Sequence, residues 1–363
     1  MTPETGRRPY ASELTERQEA VLRALVTAYV GEAEPVGSAK LSYLLPFKLS
    51  AASIRNTMAE LSELGLIEKP HASAGRIPTE QGLRIFVDRL LEADAQRAEL
   101  VAYARRGMRR SLENAPGEDL MREASRLLSE YSGQLGFAVA PRLERLVLRH
   151  VSLVRLSREK VLVVLISRYG DSHQRVIDDS DGPRQEELDR MATALNERVV
   201  GHTLPEVQEL LRHQVESLRN QANRLLTRAL AFGLRVLTMP SQDTAASLVI
   251  ATRASLFDQP EFSDPERLRG ILAALETNER LVELLGGVLD REGVLVALGG
   301  ELPAPGLNRC ALVAASYGAG TGAEGESGAL GTLGVIGPSR MDYARVIPLV
   351  GYCSRLVTEQ LDA

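Results

Sequence analysis

The chain has 363 residues, 44% of them hydrophobic and 25% charged, with a formal net charge of −5. That length exceeds one ordinary core and supports two or three modest ones, and the even apolar-to-charged proportion excludes a disordered or fibrous chain. The acidic balance excludes indiscriminate attraction to polyphosphate, so any nucleic-acid contact must come from a local arrangement of charge.

The first element opens on Leu14-Thr15-Glu16-Arg17-Gln18. Thr15 with Gln18 forms a capping-box pattern, and Val21, Leu22, Leu25, Val26 and Tyr29 then share one helical face, which predicts an amphipathic helix to Val30. A turn over Glu32 to Gly37 leads to Ser38, a favoured N-cap, then to Leu41, Leu44 and Leu45, and Pro46 ends this short second helix. Ser50 caps a third, expected to bury Ile54, Met58, Leu61 and Leu64. Its opposite face carries Ala52, Asn56 and Ala59, flanked by Ser53 and Arg55. After Gly65, Leu66 to Lys69 forms a strand, Pro70 to Gly75 a tip, and Arg76 to Thr79 the return. Three helices followed by a small hairpin make a winged helix-turn-helix.

From Pro35 to Ala59 the sequence holds no acidic residue, while Lys40, Lys48 and Arg55 fall inside that window. Arginine can engage guanine and asparagine adenine in the major groove, so Arg55 and Asn56 are candidates for base contact, and Ser50, Ser53 and Thr57 suit phosphates or bases. In the wing, Lys69, His71, Ser73 and Arg76 suit phosphate or the minor groove. The bland alternatives are a core helix with a solvated polar face and a solvated hairpin whose glycine permits the turn.

Glu80 to Met108 keeps helical period and ends among Arg105, Arg106, Arg109 and Arg110, a connector broken by Asn114-Ala115-Pro116-Gly117. A helix over Glu118 to Gln134 and strands at Leu146 to Leu156 and Val161 to Ile166 start an α+β domain. Gln185 to Gly233 returns to helix, with Leu211, Val215, Leu218, Leu225 and Phe232 in a coiled-coil-like seam that predicts a homodimer. A strand at Ser247 to Thr252 and a helix opened by Asp264-Pro265-Glu266 follow. Val294 to Leu298, Cys310 to Ala315 and Leu330 to Ile336 are strands, and Tyr343 to Leu361 is a closing helix that Pro348 should kink. Strands on both sides of the helical segment predict an α+β multidomain chain. Its parts are a winged-helix domain over 1–90 with a connector to about 110, an α+β domain over 111–180 and 289–363, and an insertion over 181–288.

No catalytic constellation assembles. Ser157-Arg158-Glu159-Lys160 fits an S-x-x-K pattern but precedes a strand, and Gly318-Ala319-Gly320-Thr321-Gly322 lacks the partners of a nucleotide loop. His71, His150, His173, His202 and His213 show no metal-ligand spacing, and Cys310 and Cys353 read as buried thiols. The chain is therefore expected to be no enzyme and to carry no cofactor or metal. No apolar run approaches the roughly 18 residues that span a bilayer, and Met1 to Glu13 lacks a secretory apolar stretch, so a cytoplasmic protein without membrane contact is expected.

Four stretches resemble one family, the heat-inducible transcription repressor HrcA. They are Leu14 to Gln18 with Glu34-Pro35-Val36-Gly37-Ser38 and Ser53-Ile54-Arg55-Asn56; His71-Ala72-Ser73-Ala74-Gly75-Arg76-Ile77-Pro78-Thr79; Asp258-Gln259-Pro260-Glu261-Phe262; and Gly334-Val335-Ile336-Gly337-Pro338-Ser339-Arg340-Met341-Asp342-Tyr343. The resemblance implies a winged helix, a GAF-like domain and an inserted dimerisation domain. It also implies repression of chaperonin operons through an inverted-repeat operator, CIRCE, with the GroEL chaperonin maintaining the active form. Ala51, Thr57 and Ala72 depart from the family's usual residues. The alternative is a winged-helix regulator whose GAF-like domain senses a small ligand. The Pro338 to Tyr343 motif is either a ligand surface or, as favoured here, a tight turn and helix cap.

Overall fold

The computed structural model describes residues 14–71, 74–92, 102–115, 119–139, 146–168, 172–179, 183–218, 248–251, 293–302, 307–319 and 329–362. The N-terminal head is α1 (Glu16–Glu32), α2 (Ser38–Leu44), α3 (Ala51–Glu63), β1 (Ile67–Glu68), β2 (Ile77–Pro78) and α4 (Glu80–Glu92). The Thr15 capping box forms as expected, with the Thr15 hydroxyl accepting from the Gln18 amide and the Gln18 side chain reaching back. Gly37, and not Ser38, is the N-cap of α2, and Ser38 becomes its first helical residue. Ser50 caps α3 by accepting from the Ser53 amide at 3.1 Å. Val21, Leu22, Leu25, Val26, Leu41, Ile54, Met58 and Leu61 form the head's core, whereas Leu64 is 43% exposed because it stands at the C-cap, past the last inward position.

β1 and β2 pair antiparallel over two residues each, and an isolated bridge joins Arg76 to Val36 in the turn before α2. That bridge explains Gly75. A Cβ there would lie 2.5 Å from the Val36 carbonyl oxygen, so any side chain would push the wing off the helices.

The body begins with α5 (Ala102–Glu113) and α6 (Leu120–Ser132) and holds an antiparallel five-stranded sheet. Its order is β7 (Leu248–Ala251), β3 (Leu135–Val139), β10 (Ala329–Pro338), β9 (Cys310–Ala319) and β8 (Val294–Leu298). The closing helix α9 (Tyr343–Asp362) continues through Pro348 and packs with α5 and α6 on this sheet. Arg105 lies over the Tyr352 ring at 5.0 Å and Arg109 donates to the Tyr352 hydroxyl at 3.4 Å, so the arginines of the expected connector fasten α5 to the body. Head and body share one buried apolar cluster, running from Val21 through Leu83 and Val87 to Val346 and Val357.

A second unit has its own core. β4 (Leu148–Arg155), β5 (Lys160–Ser167) and β6 (Ser172–Asp178) form a separate meander, covered on one face by α7 (Gln185–Val199) and α8 (Leu204–Leu218). The sheet topology thus departs from the expected boundaries at both ends. The strands near 146–178 lie outside the five-stranded sheet, and β7, expected inside the insertion, is its edge strand. Among the described residues β3 ends at Val139 and the next strand of this sheet, β7, begins at Leu248. Helix over Gln185 to Gly233 is also interrupted: α7 ends at Val199 and α8 starts at Leu204. The Glu206 carboxylate accepts from the Thr203 amide at 2.6 Å and the Thr203 hydroxyl at 2.9 Å, which makes a new helix start. The helix expected from Asp264 and the Asp258 to Phe262 stretch lie outside the described residues.

Candidate nucleic-acid interface

The outward side of α3 is set by its inward side. Ile54, Met58 and Leu61 point to the core, leaving Ala51, Ala52, Arg55, Asn56 and Ala59 exposed. Small alanines on either side let a groove approach the Arg55 and Asn56 side chains. Ser53 is half-buried, and its hydroxyl shares a hydrogen bond of 2.9 Å with that of the exposed Ser50. Thr57 is different. It is 0% exposed and its hydroxyl donates to the Ser53 carbonyl at 3.1 Å, so it faces the head's interior and is not available to DNA. The helical period places position 57 with 54 and 61, a consequence the residue type alone obscures.

Around this face, Lys48 is exposed and Lys40, half-exposed, is paired with Glu32. The first carboxylate after the acid-free window, Glu60, is engaged by the Gln18 side-chain Nε2 at 2.9 Å and by Arg17 at 3.5 Å, so α1 offsets its charge. In the wing, Lys69 and His71 are exposed and Ser73 lies outside the described residues. Arg76 stands at the wing's root, its backbone exchanging hydrogen bonds of 2.8 and 2.9 Å with Val36 and its Nε buried without a hydrogen-bond partner among the described residues. Sequence reasoning missed Tyr43 and Phe47, which are 88% and 42% exposed inside the acid-free window. Their signal was available, since neither falls on the inward face that Leu41 and Leu45 define.

Of the expected seam residues, only the side chain of Leu211 is described. Leu211 is buried in the core beneath the three-stranded sheet. The side chains of Val215 and Leu218, and the whole of Leu225 and Phe232, lie outside the described residues. The turn at Pro338 to Tyr343 is held internally: the Tyr343 hydroxyl donates to the Ser339 carbonyl at 2.6 Å, and the Ser339 amide to the Arg309 carbonyl at 3.0 Å. Among the described residues no group of His, Cys, Asp or Glu could hold a metal ion, and no helix is long and apolar enough to cross a membrane. Cys310 and Cys353 are both buried, and burial pushes the Cys353 thiol up to about 12, which makes it a poor nucleophile.

Residues 13–88 match the winged helix-turn-helix transcription repressor, HrcA DNA-binding domain, and residues 118–347 match the HrcA protein C-terminal domain. A heat-inducible transcription repressor HrcA from Geobacter sulfurreducens is 34% identical, covering 97% of this chain and 99% of its own length. The repressor of the same name from Brucella canis is 36% identical, covering 96% and 97%. A crystal structure of a hypothetical protein matches the fold with a TM-score of 0.61 at 23% identity, over 96% of this chain and 99% of its own. With a third helix whose exposed N-terminal half carries no acid beside a short wing, and with these matches running nearly end to end, the chain belongs to the HrcA family of heat-inducible transcription repressors, its DNA-binding winged helix at the N-terminus.

Proposed function

We propose that this repressor binds a CIRCE-type inverted-repeat operator at chaperonin genes as a homodimer in the cytoplasm, and that the GroEL chaperonin maintains its active form. The observation that carries the DNA reading is the outward side of α3, where Arg55 and Asn56 stand exposed between alanines and the next carboxylate, Glu60, is engaged by Gln18 and Arg17. Arg55 suits guanine and Asn56 adenine, while Ser50, Lys48, Lys69 and His71 suit phosphates. The family's two domain matches support the DNA-binding repressor part of the reading, and the operator and chaperonin parts are what the family resemblance implies.

The body is read as GAF-like, interrupted by the unit that carries the dimer contact. Because Leu211 is spent inside that unit, its meander offers the better twofold surface. On the uncovered face Val154 pairs across to Leu162 and Leu162 to Val176, with Val164 and Ile166 next along the central strand. Val154 and Val176 are exposed, Ser152 and Gln174 extend the patch, and Lys160 and Asp178, opposite charges paired across the strands, border it. An apolar patch whose bordering charges are one of each sign suits a second copy of itself better than a partner of one charge.

Footprinting on chaperonin promoter DNA tests the reading, with operator binding measured before and after a brief heat step, with and without GroEL and ATP. Protection of an inverted repeat, recovered after heating only with chaperonin, is the expected result. Absence of any protected site refutes the operator; full recovery without chaperonin refutes its role.

A further inference from the structure

Helix α4 starts where the wing ends. Thr79, the residue between β2 and α4, donates from its amide to the Leu66 carbonyl at 3.0 Å and from its hydroxyl to the Gly65 carbonyl at 2.7 Å, so the start of α4 is tied to the end of α3 and the root of the wing. From this anchored start two side chains reach the body. The Glu80 carboxylate accepts from the Gly300 amide at 2.8 Å, in the single 3₁₀ turn Gly299–Glu301 that follows β8. The carboxylate fits only because of Gly299, where a Cβ would lie 2.7 Å from it and 2.9 Å from the Asn308 carbonyl oxygen.

One turn later Arg84 donates to the Val296 carbonyl at 2.8 Å and to Glu301 at 3.2 Å, while its other nitrogens hold Asp88 at 2.7 and 3.0 Å. Glu301 also accepts from the Leu298 amide at 3.0 Å. Beneath the cluster Tyr343 is buried, its phenol raised above the ordinary range by burial, with Arg84 and Glu301 both close enough to act on it. An isolated surface ion pair contributes little to stability. Here Arg84 is only 18% exposed and the two α4 side chains engage backbone groups, whose geometry is fixed.

We infer that Glu80, Arg84 and Glu301 form a clasp that fixes the angle of the DNA-reading head on the body, and thereby sets the separation of operator half-sites that the dimer accepts. They are positioning residues. The inference rests on the dimeric operator reading above. Two heads held at a fixed angle meet half-sites at one helical phase. Loosened heads still read each half-site, but the second contact forms at a lower effective concentration and with less preference for spacing.

The test uses the full chain with Glu80→Ala and Arg84→Met together. Spin labels are placed through Arg23→Cys on α1 and Arg122→Cys on α6, both exposed, and the samples are diluted with unlabelled chain. Cys310 and Cys353 are buried and should stay unlabelled. Head-to-body distances should be narrow in the parent and broad in the clasp variant. On DNA, the variant should bind a single half-site within about twofold of the parent, lose about tenfold on the two-site operator, and show a reduced penalty when about five base pairs are added to the spacer. An unchanged distance distribution overturns the clasp without reference to DNA. Equal losses on half-site and full operator, or an unchanged spacer penalty, overturn its role in spacing. If the parent binds no inverted repeat at all, the operator reading falls together with the spacing role, while the distances still decide whether the clasp holds the head.

Discussion

Arg55 and Thr57 stand two residues apart on one helix and should give opposite answers when replaced. At about 100° per residue their side chains point roughly 160° apart, one to solvent and one into the head. Thr57→Val keeps the side-chain shape and removes a hydroxyl whose partner, the Ser53 carbonyl, also serves the helix. The expected cost is at most the roughly 1 kcal/mol of a neutral hydrogen bond, and it should appear in urea unfolding. Operator affinity should stay within about twofold of the parent's. Arg55→Ala should leave unfolding nearly unchanged and cost about 1 to 3 kcal/mol in operator binding, or about 5- to 150-fold at 1.4 kcal/mol per decade. The assay is fluorescence anisotropy on the footprinted fragment and on random duplex at several salt concentrations. A base-contacting Arg55 loses discrimination between the two; a phosphate-contacting one loses both equally and lowers the salt slope by about one. If Thr57→Val weakens operator binding as much as Arg55→Ala while the fold stays intact, the assignment of faces on α3 is wrong.

Other expectations follow from single contacts. Gly75→Ala places a Cβ 2.5 Å from the Val36 carbonyl oxygen, and the shift it forces should cost about 1 to 3 kcal/mol in urea unfolding. A variant as stable as the parent would mean the bridge to Val36 is dispensable. Val176→Asp, on the uncovered face of the meander, should convert the dimer to monomer in sedimentation while leaving far-UV circular dichroism unchanged; a persistent dimer locates the contact elsewhere. The Glu206 carboxyl is held below its ordinary value of 4.5, chiefly by the Thr203 amide and then by its hydroxyl. Its stabilising contribution is therefore present above the ordinary value and lost as pH falls through the lowered one. Glu206→Gln should flatten the acid limb of the unfolding profile there, and an unaltered profile would remove the cap from the account.

The head was legible because its signals are local. Thr15 with Gln18 and Ser50 before an inward stripe each act within a few residues, whereas Gly75 is required by Val36, a neighbour only in the fold. Leu64 and Thr57 show the limit of that reading: spacing put Leu64 inside although the helix ends there, and residue type put Thr57 outside although the helical phase turns it inward. β3 escaped notice because Leu135 to Val139 is a five-residue apolar strand directly after a helix, with no alternation to mark it, being buried along most of its length. The start of α8 could have been seen, since Thr203-Leu204-Pro205-Glu206 is a capping box with proline at an early helical position. The sheet order could not. β7 and β3 are more than a hundred residues apart, and only register in the folded sheet makes them neighbours. The same holds for the clasp, whose partners are separated by more than two hundred residues and carry no motif.

That register gives the inserted unit a specific boundary and a specific test. Val139 and Leu248 are direct partners in the antiparallel pairing of β3 and β7. Partners in such a pair lie about 5 Å apart at Cα, a gap a two-residue hairpin turn closes. Removing residues 140–247 and joining the strands through Asn-Gly should therefore preserve the five-stranded sheet, which keeps all of its strands, and remove the meander with its separate core. A cut over 181–288 would do the reverse, deleting β7 and stranding β4, β5 and β6 without the α7 and α8 that cover them. The 140–247 deletion should unfold cooperatively, sediment as a monomer and bind one half-site nearly as well as the parent while losing the two-site operator. The 181–288 deletion should expose apolar sheet and aggregate. If the shorter body still forms a dimer, the twofold contact lies in the head or body, and the apolar face of Val154, Leu162 and Val176 must have another use.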